Sequence, residues 1–173
     1  MKKLIISVAI MTLFGNLRAQ NTFPVVPDID LKRYAGTWYE IARKPFVFES
    51  KLKCITATYT LRDDGKINVL NRGRYISNPS KISTAEAVAW APDKSQPAKL
   101  KVRFFWPFSG DYWVMELDKD YRYAMVGDPS LKYLWILSRD KKLDGAVFEM
   151  LKSKAVKYGY DVSDLIIPLH DCD

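Results

Sequence analysis

Histidine is almost missing from this 173-residue chain, with His170 alone close to the C-terminus. A Ser-His-Asp or Cys-His catalytic arrangement needs an imidazole beside its nucleophile, and a histidine-rich metal site needs several, so neither organises this protein. Cysteine is as scarce: Cys54 and Cys172 are the two present, and no Cys-x-x-Cys pair exists. No Gly-x-Gly-x-x-Gly and no Walker loop occurs, which removes two common cradles for nucleotide phosphates. Long apolar runs are missing as well. The stretch Leu4 to Phe14 has eleven apolar-biased residues, against about 20 for a membrane-spanning helix.

What that stretch does fit is an exported chain. Lys2 and Lys3 precede it, and Gly15-Asn16-Leu17-Arg18-Ala19-Gln20 follows, with a small residue at Ala19. A positive start, a short apolar run and a small residue read as a cleaved secretory signal over residues 1–19. Removing it takes away Lys2, Lys3 and Arg18 and no acid, so the formal net charge falls from +7 to +4. Such mild basicity is compatible with peripheral contact at an anionic membrane, and equally with a solvated surface. No basic cluster is interleaved with aromatics in a nucleic-acid motif, so nucleic acid is not an expected partner. The remaining 154 residues suffice for one domain with a sizeable core. The expected division is an N-terminal arm at 20–29 carrying Pro24 and Pro27, a folded unit at 30–167, and a tail at 168–173.

Period-two segments recur between turn signals: Thr37–Arg43, Cys54–Arg62, Lys66–Ile76, Thr84–Trp90, Lys99–Phe105, Tyr112–Leu117, Arg122–Val126 and Lys132–Ser138. Asp63-Asp64-Gly65, Asn78-Pro79-Ser80 and Pro92-Asp93-Lys94-Ser95 mark turns between them. Eight short strands with hairpin-length connections predict an all-β, up-and-down antiparallel sheet, and eight strands close into a barrel wide enough for one small ligand. One helix follows. Asp144 can cap it, Val147, Phe148, Leu151, Ala155 and Tyr158 fall on one stripe, and Gly159 suits the left-handed residue past its end. The stripe predicts packing against the outside of the barrel. A short strand is expected near Leu165–Ile167.

Three local patterns narrow the reading. Tyr34-Ala35-Gly36-Thr37-Trp38-Tyr39-Glu40-Ile41-Ala42-Arg43 opens the first strand with Gly-x-Trp-Tyr, Gly127-Asp128-Pro129 forms a late loop, and Tyr133-Leu134-Trp135-Ile136-Leu137-Ser138-Arg139 ends in an arginine. Together, in this order, they resemble the signature of the lipocalins, and the segment Ala57 to Asn71 is similar to the second and third strands of bacterial outer-membrane lipocalins and of apolipoprotein D. The resemblance runs from about Asp30 to Val162. It implies a calyx with one external C-terminal helix, and it carries to Gly36, Trp38 and Arg139 the roles of closing the barrel floor, with the guanidinium packed on the indole. It also implies a disulfide between Cys54 and Cys172, as in apolipoprotein D, in keeping with an oxidising compartment. Outer-membrane members carry a lipid-modified cysteine after the signal. Here no cysteine precedes Cys54, so a periplasmic or secreted carrier without an acyl anchor is expected, outer-membrane association remaining open. Some members are dimers, which leaves a homodimer open.

Side chains alternate between the two faces of a strand. In the second strand Ile55, Ala57, Tyr59 and Leu61 form the apolar, inward set, leaving Cys54 outward. The same parity, with the family pattern, places inward Ile67, Val69 and Asn71; Leu100, Val102 and Phe104; Tyr112, Val114 and Glu116; and Tyr133, Trp135 and Leu137. For the sixth strand Trp113, Met115 and Leu117 are at least as apolar, so its face is open. Phe46 and Phe48 in one loop, and Trp106 in another, are expected to meet a ligand at the mouth. An apolar pocket with the phenols of Tyr59, Tyr112 and Tyr133 suits a small amphiphile, such as a fatty acid or lysophospholipid, with no cofactor or metal. The alternative is a carrier of a pigment or tetrapyrrole, for which no axial ligand is evident. An enzyme is not expected: an isomerase would need an inward cysteine, and a glycosidase-like pair would need Glu40 and Glu116 to face one another.

Overall fold

The computed structural model describes residues 23–172; the expected signal segment and the first residues of the arm lie outside them. Eight strands, β1 (Gly36–Arg43), β2 (Leu52–Leu61), β3 (Ile67–Tyr75), β4 (Asn78–Trp90), β5 (Lys99–Phe105), β6 (Phe108–Leu117), β7 (Tyr123–Gly127) and β8 (Leu134–Ser138), form a closed barrel in sequence order. All neighbours are antiparallel, and β1 closes the ring against β8. Closure leaves no free sheet edge around the ring, which is why short, strongly alternating strands suffice. A one-turn helix α1 (Leu31–Tyr34) precedes β1, and α2 (Gly145–Lys157) follows β8.

The strand boundaries depart from expectation in two places. Asn78-Pro79-Ser80 is not the turn: Tyr75 pairs with Asn78, so Ile76 and Ser77 make the reversal and β4 begins six residues before Thr84. Pro79 is tolerated because it falls at the register shift between β4 and β3 and because β5 meets β4 only at Val88, Ala89 and Trp90, so its missing N–H breaks no ladder pair. Likewise β5 and β6 continue into Phe105↔Phe108, reducing the expected loop to Trp106 and Pro107.

Two apolar layers hold the molecule. Inside the barrel lie Trp38, Tyr59, Ile67, Val69, Leu100, Val114, Val126 and Leu137. Outside it, Leu151 and Ala155 of α2 pack on Ile41, Ala42, Met115, Met125, Leu134 and Ile136, with Val147, Phe148 and Tyr158 at the margin. The helix stripe is therefore the expected one, and its ends are chemically marked. The Asp144 carboxylate accepts from the amides of Ala146 and Val147, and Gly159 takes a φ of +97°, where a Cβ is disfavoured.

The arm is more than a leader. Ile29 is buried, Val25 and Val26 pack on the interior cluster, and the Val26 amide bonds the Val114 carbonyl at 2.9 Å. The end of the chain is tied down too. Ile166 pairs with Arg43, the Cys54 amide bonds the Leu169 carbonyl at 2.7 Å, and Cys54 and Cys172 are disulfide-bonded with Cα atoms 6.1 Å apart. Cys54 adopts a φ of +53° within an irregularity of β2 between Lys53 and Thr56, and it faces out as alternation with inward Ile55 requires.

Candidate functional site

The barrel has a closed and an open end. At the closed end Trp38 is fully buried, its indole nitrogen donates to the Tyr34 carbonyl at 2.8 Å, and Arg139 lies 3.9 Å over its ring. The Arg139 guanidinium donates to the carbonyls of Thr37, Arg33, Tyr34 and Ala35 at 2.8–3.1 Å. Those of Arg33, Tyr34 and Ala35 belong to α1 and its exit and that of Thr37 to β1, so one cation ties the helix to the first strand at the floor; partial burial lowers its pKa. Gly36 makes room: its φ is +94°, and a Cβ there would stand 3.3 Å from Arg139 Nη1. Above this floor the hydroxyls of Tyr34, Tyr112 and Tyr59 are linked at 2.7 and 2.8 Å. Burial pushes all three phenols up, so they remain neutral and satisfied by one another.

From that floor a cavity of about 100 Å³ rises toward the loops at the other end, or about 820 Å³ of unoccupied space counting the open mouth. A water molecule needs roughly 10–15 Å³, so the void is built for more than one trapped solvent. Phe46, Ala57, Tyr59, Val69, Asn71, Val102, Phe104, Tyr112 and Trp135 line it as expected, with Ile55, Ile67, Leu100 and Leu137. Small side chains at Ala57 and Ala89 leave the space that larger residues would fill.

Three expected contacts lie outside it. Phe48 is 74% exposed and Trp106 82% exposed, and neither forms part of the wall. Phe48 sits in a 3-10 turn (Val47–Glu49) that points it over the rim against Phe46. The shortened β5–β6 reversal carries Trp106 above the mouth. Tyr133 precedes β8 and stacks on Trp135 at 6.0 Å between centroids, 41% exposed.

Glu116 corrects the parity of β6. A bulge between Val114 and Glu116 adds a residue, so Tyr112 and Val114 face in while Met115 joins the outer layer. Glu116 turns outward to Lys154 at 2.6 Å and to the Tyr158 hydroxyl. It therefore lies outside the wall that Glu40 faces from within, and the glycosidase-like pairing fails.

The feature that sequence parity missed is a buried charge cluster near the mouth. A second bulge, between Glu40 and Ala42 of β1, puts Glu40 and Arg43 together; Arg43 Nη1 bonds Glu40 Oε1 at 2.7 Å, both side chains almost fully buried. Arg43 Nη2 donates to the main-chain oxygen of Glu49 at 2.8 Å. Its Nε stands 3.6 Å from Glu49 Oε2 and has no hydrogen-bond partner among the described residues. Trp135 Nε1 donates to Glu49 Oε2 at 3.3 Å. Burial, then repulsion from Glu49, raises the Glu40 carboxyl to about 8, and burial raises Glu49 as well. A lone acid in the aromatic loop Pro45 to Glu49 was the available signal, since a carboxylate among apolar residues must find a partner when it is buried.

Residues 29–170 match the family of the lipocalin-like domain. The chain is a lipocalin. This lipocalin is 46% identical over 142 residues to the outer membrane lipoprotein Blc of Escherichia coli K12, covering 82% of this chain and 80% of that protein. It is 44% identical over 150 residues to temperature-induced lipocalin-1 of Arabidopsis thaliana, with coverage of 82% and 79%. Among solved structures it is similar to insecticyanin of Manduca sexta, with a TM-score of 0.66, 28% identity and coverage of 86% and 84%. Lobster apocrustacyanin A1, at a TM-score of 0.65 and 16% identity over 82% and 79% of the two chains, shares the fold. The lipocalin motif residues Gly36, Trp38 and Arg139 meet at one point of the structure. Among the described residues the one cluster with metal-ligand spacing is Cys54, Asp171 and Cys172, and both its sulfurs are taken by the disulfide. No described helix is long and apolar enough to cross a membrane.

Proposed function

We propose that this lipocalin binds a single-chain amphiphile, such as a fatty acid or lysophospholipid, and stores or carries it in the cell envelope after export. The observation that carries the reading is the cavity: a narrow, mainly apolar void, closed at Trp38 and Arg139 and open beside Phe46. Burying each CH₂ contributes about 0.8 kcal/mol before the cost of ordering the chain, so a long tail can reach micromolar affinity without any head-specific bond. The self-satisfied Tyr34–Tyr112–Tyr59 chain leaves no strong polar anchor at the floor, which suits a methyl-terminated tail entering first. Exposed Val47, Phe48, Phe105, Trp106 and Phe108 ring the mouth, and apolar groups held in water at an opening favour contact with a lipid surface. The similarity to an outer membrane lipoprotein supports an envelope location, although in this chain no cysteine precedes Cys54. Binding rather than catalysis is the activity proposed.

Native mass spectrometry of the protein purified from its own host tests this. The expected result is a co-purified mass of a few hundred daltons that fragments as an acyl lipid. A coloured tetrapyrrole in the cavity would overturn the reading, as would failure of every fluorescent fatty acid to quench tryptophan emission.

A further inference from the structure

Among the described residues, Lys, Arg and His do not line the cavity; its charged members are Glu40, Glu49 and Asp111. Asp111 is answered by Lys101 at 2.8 Å. Glu40 is answered by Arg43, which stands behind it. The guanidinium has little left for Glu49: one terminal nitrogen holds Glu40, the other holds a main-chain oxygen, and Nε remains unpaired at 3.6 Å. Two carboxylates thus share one cation in a water-poor wall, and the Glu49 carboxylate keeps a single weak donor, the indole nitrogen of Trp135 at 3.3 Å. About 10% of the Glu49 side chain remains exposed.

We propose that Glu49, with Glu40 beside it, forms a subsite for the protonated amine of a single-chain amphiphile; this rests on the cavity being the lipid site. A buried carboxylate in excess of the local cations needs a positive partner. A proton shared between Glu40 and Glu49 supplies one when the site is empty, and burial holds both carboxyls above their ordinary range. An ammonium can take the place of that proton, donating to Glu49 while lying against the rings of Phe46 and Trp135, whose centroids are 5.7 Å apart; aromatic faces attract cations. An anionic head at the same depth would meet two carboxylates, so a fatty acid would keep its head above this subsite, at the mouth. The remaining titratable neighbours do not change the balance. Tyr34, Tyr59 and Tyr112 stay neutral because burial raises their pKa, and the His170 ring meets the main-chain oxygen of Glu40 at 2.7 Å and the Tyr39 ring edge-on, not either carboxyl.

The test compares three probes of one chain length, dodecylamine, 1-dodecanol and dodecanoic acid, on the disulfide-bonded protein at pH 7.5. Dodecylamine is expected to bind at least about tenfold more tightly than dodecanol, a difference of about 1.4 kcal/mol, and its binding should release protons, read as heats that differ between buffers of different ionisation enthalpy. Glu49→Gln should abolish that preference of the amine over the alcohol. Amine affinity no higher than that of the alcohol overturns the subsite and leaves the lipid cavity standing; so does a preference that survives in Glu49→Gln. If none of the three probes binds, the cavity reading falls and the subsite with it. Should Glu49→Gln fail to fold, the ranking of the heads and the proton release on the unsubstituted protein decide the matter.

Discussion

Trp38 and Trp106 carry the same side chain at opposite ends of the barrel, and their surroundings give them opposite weight. Trp38 is fully buried under Arg139 and against Tyr34, so Trp38→Ala removes packing and leaves a void, at about 3–5 kcal/mol. Trp106 is 82% exposed, and Trp106→Ala should move the denaturation midpoint little. Equal loss in the two variants would mean that the floor is not where the stability lies. Glu40 makes a pH prediction at the same scale. Its carboxyl is held up to about 8 when folded and titrates near 4.5 when unfolded, so across that window the folded chain binds more protons than the unfolded one. Stability should therefore fall as pH rises from about 5 to about 8, and Glu40→Gln should flatten the slope. Urea midpoints at pH 5 and pH 8.5 check this; a wild-type midpoint unchanged across the window would sink it.

Bulges decide what each strand presents. In β1 the bulge after Glu40 brings Arg43 to the inner face, and in β6 the bulge before Glu116 turns that residue to α2. The packing of α2's exit is equally exacting. At the end of β7, Gly127 lies under Tyr160, whose hydroxyl accepts from the Asp128 amide at 3.0 Å and donates to the Asp128 carbonyl at 2.8 Å. An added Cβ at Gly127 would collide with the Tyr160 hydroxyl and crowd the Tyr133 main-chain oxygen. Gly127→Ala is expected to cost about 1–3 kcal/mol by overpacking, with the loss visible in thermal melts. A melt matching wild type would show that β7 and the Tyr160 segment can slide apart freely.

For the whole molecule, the disulfide and the cavity make separate predictions. Cys54 and Cys172 close a loop of 118 residues, which in the chain-entropy model restrains the unfolded state by about 4–5 kcal/mol. Reduction should lower the urea midpoint by a corresponding amount while the barrel still folds, since the ring of strands does not depend on the crosslink. The cavity prediction uses Val69 and Val102, both in its wall. Val69→Trp or Val102→Trp should abolish quenching by a fluorescent fatty acid with the fold retained, because an unfilled void accepts added volume that a packed core rejects. Undiminished binding in a folded variant would place the ligand elsewhere.

The family, the eight strands, the external helix and the floor residues could be read from the chain because each rests on local chemistry. Period-two alternation marks a half-buried strand, Asp144 and Gly159 mark the helix ends, and Gly36, Trp38 and Arg139 stand in a recognisable order. Much of the cavity wall followed from the same alternation, as Ala57, Tyr59, Val69 and Val102 illustrate. Alternation fails where a bulge inserts a residue, because the register shift depends on how the partner strand is hydrogen-bonded and not on the strand's own pattern. Glu116 outside and Arg43 beside Glu40 are the consequences. Exposure of Phe48, Trp106 and Tyr133 was likewise hidden, since residues in turns have no period and their direction is set by the hairpin geometry around them. The charge cluster joins Glu49 from a 3-10 turn to Glu40 and Arg43 from β1 and Trp135 from β8. Glu40, Arg43 and Glu49 are near neighbours in sequence, but only closing β1 against β8 brings Trp135 to Glu49, and only burial there makes the charge balance of the cluster matter.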